Sequence, residues 1–427
     1  MELMPGYMQT EVGVIPAEWE VQPCSEVSDR IMVGIVIRPT QYYVPHGVPA
    51  FRSANIREDG ITDSDLVYIS ASSNALLAKS QTRTGDVLTV RTGYPGTSAV
   101  VRPAHAGCNC IDILITRPSR RILSDFLAIW INSSFGKEQV LRNQGGLAQK
   151  HFNVGDMRNL VVALPALPEQ RAIATALNDV DALLGGLDRL IAKKRDLRQA
   201  AMQQLLTGQT RLPGFHGEWE VKRLGDHVTF LRNGVNSRAE LLPEGRVRYL
   251  HYGDVHACKD TDLSPDSLPF LPDAKAVRLD RLRDGDLIFA DASEDIAGVS
   301  KSVELRGIGN TEVVPGLHTI AARFDKTVLA DGFKGFLQSC PPFATHLRRL
   351  AAGTKVYATN RAHIASVEMR LPRGPEQVAI AAVLSDMESE LAALEARRLK
   401  TRDLKQAMMQ ELLTGKTRLV STRGAHV

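Results

Sequence analysis

Signatures of catalysis are missing from this sequence of 427 residues. It has no P-loop, no H-E-x-x-H helix and no G-x-S-x-G elbow, which sets aside P-loop nucleotide hydrolysis, zincin chemistry and α/β-hydrolase chemistry. Cysteine is scarce and odd in number, five in all, as expected of a reducing compartment. Cys108 and Cys110 lie close together, but no second Cys/His pair follows at zinc spacing, so both read as buried thiols. The eleven histidines are scattered. No run of 18 apolar residues exists, so no membrane span is expected. The opening MELMPGYMQTEVGVIP lacks a basic n-region and an apolar core, so no secretory leader is expected either. These features point to the cytoplasm. Aromatic content is low at 5%, while 44% hydrophobic and 23% charged residues are ordinary for a globular chain of two to four domains. A net charge of +4 permits an acidic partner without requiring one.

Two fragments brush against catalytic motifs. Cys340-Pro341-Pro342-Phe343 is near the Asn/Asp-Pro-Pro-aromatic motif of amino-methyltransferases, but cysteine is a poor hydrogen-bond partner for a target amine, and no glycine-rich AdoMet loop accompanies it. Glu220-Val221-Lys222 has a nuclease-like E-x-K spacing, yet its counterpart Glu20-Val21-Gln22 lacks the lysine. Neither supports an enzyme acting alone.

What the chain does have is a repeat. Leu164–Leu212 and Leu371–Leu419 align without a gap at an offset of 207, with 27 of 49 positions identical. Both copies predict a long helix. Ile173, Leu177, Val180, Leu184, Leu187 and Ile191 recur at alternating steps of four and three, as do Ile380, Leu384, Met387, Leu391 and Leu394. That is a heptad seam, which needs a partner helix. Pro165 and Pro168, and Pro372 and Pro375, sit where a missing N–H costs least; Glu169 and Glu376 follow in the first turn; Gly208 and Gly415 stand where a left-handed cap ends a helix. About 40 residues make a rod of roughly 60 Å. Lys194 and Arg398 interrupt the seam, and the basic stretches around them read first as a solvated helix face, second as partner or phosphate contacts.

The repeat extends outward. Glu18-Trp19-Glu20-Val21 is echoed by Glu218-Trp219-Glu220-Val221, Gly85-Asp86-Val87-Leu88 by Gly285-Asp286-Leu287-Ile288, and Gly146 and Asn153 by Gly353 and Asn360. The expected organisation is a segment 1–16 read as a linker or edge, a globular domain 17–163, a helix 164–212, a second globular domain 213–370, a helix 371–419 and a polar tail 420–427. Strands are expected at 65–70, 86–91, 111–116, 160–164, 286–290 and 319–324, and a short buried helix at 126–132. The N- and C-terminal pieces together would make one more copy of the internal junction, as in a circle cut open. The fold class is α+β: two pseudo-two-fold-related mixed α/β domains separated by two long antiparallel coiled-coil helices.

The P-E-Q helix starts, the R-D-L-x-Q-A-x-M-Q-x-L-L-T-G-x-T-R-L helix ends and the T-E-V-G-V-I-P-x-x-W-E opening resemble the specificity (S) subunit of type I restriction-modification systems. The likeness spans nearly the whole chain. It implies that the globular parts are target recognition domains, each reading one half of a split double-stranded DNA site. It implies that the helices set the half-site spacing and dock two methyltransferase (M) subunits, through which restriction/translocase (R) subunits join. It further implies that this chain is non-catalytic, with AdoMet, ATP and Mg²⁺ belonging to partner subunits. A related arrangement is an S-like subunit serving one partner that carries both cleavage and methylation; another is a coiled-coil scaffold that does not bind DNA.

Base readout favours Arg or Lys for guanine and Asn or Gln for adenine, with further basic residues on phosphate. Loop-like stretches supply the candidates. In the first domain they are Lys79, Arg83, Arg91, Tyr94, Gln149 and Lys150; in the second, Arg232, Asn233, Asn236, Arg238, Lys301, Lys355, Tyr357 and Arg361. No catalytic or metal-ligating residue is expected.

Overall fold

The computed structural model describes residues 5–142, 151–351, 353 and 356–420. Two helices exceed all others in length: Leu167–Leu205, of 39 residues, and Gly374–Leu413, of 40. The chain divides into two compact units, one built from residues up to Asp188 together with those from Arg397 onward, the other from Arg189–Ala396. Each unit thus owns half of each long helix. Along the first helix Ile173, Leu177, Leu187 and Ile191 are buried and Val180 and Leu184 half-buried; along the second Ile380, Leu384 and Leu391 are buried and Met387 and Leu394 half-buried.

Where the seam turns polar, the basic residues find acids on the other helix. In the first unit Lys405 meets Asp181 at 2.6 Å and Arg398 pairs with Asp188. In the second, Lys194 meets Glu390 at 2.7 Å, and Arg198 and Arg195 pair with Glu388 and Glu395. Numbers rise along one helix as they fall along the other, so within each unit the two segments run antiparallel. The basic seam residues are therefore neither a merely solvated face nor unengaged cations. The more exposed of these pairs, Arg398–Asp188 and Arg195–Glu395, contribute at most about 1 kcal/mol each.

The repeated motif at the helix ends has a physical explanation, and it is the same in both units. Pro168 and Pro375 are the second residues of their helices, where no helical N–H partner is lost. The next residue but one is a buried glutamine that stitches the helix start to a neighbouring loop. Gln170 donates to the carbonyls of Pro165 and Arg121 at 2.8 and 3.0 Å and accepts from the Leu123 amide at 2.9 Å. Gln377 donates to the carbonyls of Pro372 and Val328 at 2.8 and 2.7 Å and accepts from the Ala330 amide at 2.8 Å. At the other end, the Thr207 and Thr414 hydroxyls both donate back to carbonyls four residues earlier at 2.6 Å. Gly208 and Gly415 take φ of +72° and +64° and end the helices. They also let the chain pass close to an indole: a Cβ at Gly415 would lie 3.0 Å from Trp19, and one at Gly208 would lie 3.3 Å from Trp219.

The arginine three residues past each glycine then crosses to the glutamate that opens the other helix. Arg418 grips Glu169 with two hydrogen bonds of 2.5 and 2.7 Å, and Arg211 grips Glu376 in the same way. Their guanidinium groups lie 5.8 Å from Trp19 and 5.7 Å from Trp219. Glu169 and Glu376 are only 4% and 2% exposed, so each depends on its arginine for charge compensation. The bond to Glu169 is also the main reason the Arg418 pKa is raised. In the first unit this junction is assembled from both ends of the chain. Residues Tyr7–Thr10 and Gly13–Pro16 form a hairpin, where a linker or edge was expected, and the Tyr7 hydroxyl donates to the Gly415 carbonyl at 2.8 Å.

The sheets follow one plan twice. In the first unit an antiparallel sheet has the order Ser98–Val100, Val87–Val90, Ile113–Pro118, Ser28–Val33. In the second, Ser302–Leu305, Leu287–Ala290, Thr319–Phe324 and Val228–Phe230 take the same order, with Asp262–Leu263 added at one edge. The Gly-Asp motif opens the central strand in both. Gly85 and Gly285 adopt φ of +87° and +85°. Asp86 and Asp286, both buried, accept from the amide three residues back at 2.8 and 2.7 Å. Each also binds an arginine on the next strand, Arg117 at 2.8 Å or Arg323 at 2.6 Å. Asn153 and Asn360 cap the short helices Val154–Asn159 and Arg361–Ala365, and strands Val161–Leu164 and Glu368–Leu371 then lead into the long helices.

The helix Ser124–Asn132 buries Phe126, Leu127, Trp130 and Ile131 in one core with Ile173, Leu177, Leu412 and Leu413. In the second unit Phe289, Phe333, Phe336 and Phe343 share a core with Leu205, Leu206, Ile380 and Leu384. Sheet and helix pair are thus one hydrophobic body in each unit. Replacing Arg418 by Ala leaves Glu169 without a counter-ion and should destabilise the first unit by about 3 kcal/mol in urea denaturation, with Arg418→Lys recovering part of the loss; an unchanged midpoint would contradict this reading of the junction.

Candidate nucleic-acid interface

In the first unit the last ladder pair of the central strand is Val90 with Ile113. One residue beyond it stand Arg91 and Asp112, which form an ion pair. Asp112 has φ of +52°, a conformation uncommon outside glycine but tolerated by aspartate. The Arg91 backbone carbonyl accepts from the Phe152 amide at 3.2 Å, and the Arg91 Nε donates to the Phe152 carbonyl at 3.2 Å, so the loop before the Val154–Asn159 helix is stitched to this point. Thr92 Oγ1 lies 2.7 Å from His151 Nδ1. The Asp112 amide donates to the Ile35 carbonyl at 3.0 Å, bringing in a third loop whose Ile37 and Arg38 are exposed. The turn between Gly93 and Gly96 lifts Tyr94 into solvent, 84% exposed. Three loops therefore converge on one end of the sheet.

The candidates chosen from sequence fall unevenly around it. Arg91 and Tyr94 are at this end. Arg83 is exposed but stands before the opposite end of the central strand, and Lys79 is exposed on the turn Ala78–Ser80. Gln149 and Lys150 lie outside the described residues.

The second unit repeats the geometry with other side chains. The last ladder pair is Ala290 with Thr319, and Asp291 and His318 stand one residue beyond. His318 has φ of +55°, and its Nδ1 is 3.2 Å from the Asp291 carboxylate. The Thr359 amide donates to the Asp291 carbonyl at 2.8 Å, matching the bond from Phe152 to Arg91. Beside the pair is a cleft of about 570 Å³ lined by Tyr252, His256, Ser293, Asp295, His318 and Val356. Tyr252 meets His318 edge to face at 5.5 Å and His256 at 6.1 Å. The His256 Nε2 lies 2.9 Å from the Ala292 carbonyl, which fixes its ring beside the cleft.

The basic and amide candidates of this unit are mostly engaged within the fold. Arg361 donates to the Leu231 carbonyl at 2.7 Å and lies over Phe230. Asn233 donates to the Gly316 carbonyl at 3.3 Å. Asn236 donates to Glu240 at 2.9 Å, and Lys275, the Ser237 amide and Asn236 hold the Glu240 carboxyl down to about 2. Arg238 pairs with Asp254, and Lys301 donates to the Cys258 carbonyl at 2.8 Å. Tyr357 sits in the two-residue strand Tyr357–Ala358, paired with Ser293 beside the cleft. Arg232 remains 73% exposed on its side chain, 3.6 Å from Asp280. Lys355 lies outside the described residues. Sequence reasoning passed over Asp112, Asp291, His318, Tyr252 and His256. The Gly-Asp motif does place Asp291 opposite Arg91 at an offset of 200; nothing local marks the two strand-entry residues, Asp112 and His318.

Burial pushes the Cys24 and Cys340 thiols up to about 12 and the Cys110 thiol higher still. Cys340-Pro341-Pro342-Phe343 simply opens the helix Pro341–Leu350, with Phe343 stacked on Phe289 at 5.9 Å. Lys222 pairs with Glu220 at 2.8 Å on a strand surface. Among the described residues no group of three or more His, Cys, Asp or Glu could hold a metal ion, and no helix is long and apolar enough to cross a membrane.

Two sheet units of one plan, each fused to half of an antiparallel helix pair and each presenting a loop cluster with different side chains, define a paired-recognition protein. No protein-family profile matches the chain. It is 21% identical to a protein of Methanocaldococcus jannaschii named as the specificity subunit of the type I restriction enzyme MjaX, over 97% of both chains. It is 22% identical to the EcoKI specificity subunit of Escherichia coli K12, over 77% of this chain and 73% of that one. Its fold matches the crystal structure of a type I restriction-modification S subunit from M. genitalium with a TM-score of 0.59 at 13% identity, covering 96% and 98% of the two chains. The chain is thus similar along nearly its whole length to specificity subunits of type I restriction-modification systems, and it shares their fold.

The environments of Arg91 and Tyr94 separate structural from available side chains. Arg91→Ala should cost about 1–2 kcal/mol in urea denaturation, since it breaks an ion pair and a loop stitch. Tyr94→Ala should leave the midpoint unchanged. Equal effects would show that the turn bearing Tyr94 is part of the fold's support.

Proposed function

We propose that this chain is the non-catalytic DNA-specificity subunit of a type I restriction-modification complex, each unit reading one half of a split double-stranded target. One observation carries the reading: two copies of one backbone frame, whose junctions share the same glutamate, glutamine, arginine and glycine contacts, present different side chains at the same loop end. A protein that must recognise two different sequences at a set separation needs that combination. The recognition domains are 17–163 and 213–370; the helices within 164–212 and 371–419 set the half-site gap. DNA-reading modules on a two-fold scaffold engage half-sites about one helical turn apart, roughly 34–36 Å.

Two methyltransferase subunits dock along the helices and adjoining domain faces, and restriction/translocase subunits join through them. AdoMet, ATP and Mg²⁺ act on those partners, in the cytoplasm. Tyr94 is the exposed candidate at the loop end of the first unit; Lys79, Arg83 and Arg232 are exposed elsewhere on their units and could serve phosphate contacts. Arg91, Arg238, Lys301 and Arg361 serve first to hold the loops in shape.

Selection from a random duplex pool by the chain assembled with its methyltransferase partner tests this. The expected result is a two-part sequence with a fixed unspecified gap, and an affinity that falls steeply with salt as phosphate counter-ions are released. Exchange of residues 17–163 for those of a homologue should alter one half only. Salt-independent binding, or enrichment of no sequence, would refute the reading.

A further inference from the structure

Resting on that reading, we infer that the Asp291–His318 pair and the Tyr252–His256 wall beside it form a base-edge reader for an amino-bearing base, cytosine or adenine, in the half-site of the second unit. The argument begins with the frame. Positions 91 and 112 in one unit, and 291 and 318 in the other, are the first pair past the end of the central ladder. Both strand-entry residues hold the same left-handed conformation, at +52° and +55°. Both partners are tied through their backbone carbonyl to the loop before a capped short helix. Main-chain bonds therefore fix this corner whichever side chains stand there.

The side chains have exchanged polarity within that frame. The first unit has a cation on the central strand and a carboxylate on its neighbour; the second has the carboxylate on the central strand and an imidazole on its neighbour. A pair kept only for stability has no reason to reverse its sense on a preserved backbone. A pair that meets different bases in the two half-sites has one.

The chemistry of the second corner narrows the ligand. The Asp291 carboxylate is 32% exposed and the His318 ring 53%, so the pair faces solvent while staying oriented. Asp295 and Glu294 line the same cleft, and among the described residues no Lys or Arg does. Such an acidic cleft repels phosphate. On a DNA-facing surface it suits an exocyclic amine, which donates to a carboxylate from the major groove. Tyr252 and His256, set edge to face, supply an angled aromatic wall against which a base edge packs.

The test is selection from a random duplex pool, with the complex carrying wild-type chain, Asp291→Asn, or the exchange Asp291→Arg with His318→Asp. The exchange installs the side chains that the same frame already carries in the first unit. Asparagine donates as well as accepts, so Asp291→Asn should flatten discrimination at one position of one half-site by roughly ten-fold or more, leaving the other half intact. The exchange should move that position toward guanine, the usual partner of arginine. If wild type selects a two-part target and both variants select the same one, the inference is overturned and the specificity reading stands. Loss of the whole half-site with a lowered melting temperature in both variants would make the pair structural and overturn it too. A wild-type complex that selects nothing would remove both.

Discussion

The buried glutamate at the start of each long helix is the constraint on which the rest depends. A carboxylate only a few per cent exposed must be compensated, and the arginine that compensates it comes from the far end of the other helix. That one demand links several features of the repeated motif. The glycine must turn left to aim the chain, the threonine must close the last helical turn, and the tryptophan must roof the guanidinium. The neighbouring glutamine then ties the helix start to a loop of the adjoining domain, Leu123 in one unit and Ala330 in the other. Helix end, helix start and domain are joined at one small polar knot. Replacing the glutamate, glutamine or arginine leaves buried polar groups unpaired, which accounts physically for the identity of those positions in both copies while the adjoining domains differ widely.

Away from that knot the fold separates support from content. The Gly-Asp turn and its arginine, the asparagine-capped short helix and the four antiparallel strands recur with matching geometry. Around this support the loops differ in length and chemistry, from the Gly93–Gly96 turn bearing Tyr94 to the acidic cleft beside Asp291. Loops held by backbone bonds can change side chains at small cost in stability, and binding residues concentrate on such loops. A protein built to recognise two unlike sequences with one scaffold has this division of labour.

Much of this was legible in the sequence. The long helices, their heptad seam, the caps at Gly208 and Gly415 and the strands 286–290 and 319–324 all follow from local periodicity and turn chemistry. The observed strand Ile113–Pro118 begins two residues later than expected because Asp112 turns left-handed before it. The role of the polar seam residues was not legible, since Lys194 and Glu390 lie 196 positions apart and only an antiparallel pairing brings them together. The surroundings of the candidate residues were not legible for a related reason. Searching by residue type selected Arg91 and Arg361, which the folded loops consume, and passed over Asp291 and His318, whose meaning lies in their ladder position. Side-chain partnership across a sheet has no local sequence signal.

The central claim is that this chain carries sequence choice and its partner carries chemistry. Methylome sequencing of cells bearing the cognate methyltransferase subunit, with and without this chain, tests it most directly. The account predicts a two-part methylated motif with a fixed gap that appears only when the chain is present. An active methyltransferase that marks the same motif without the chain, or marks none with it, would contradict the account.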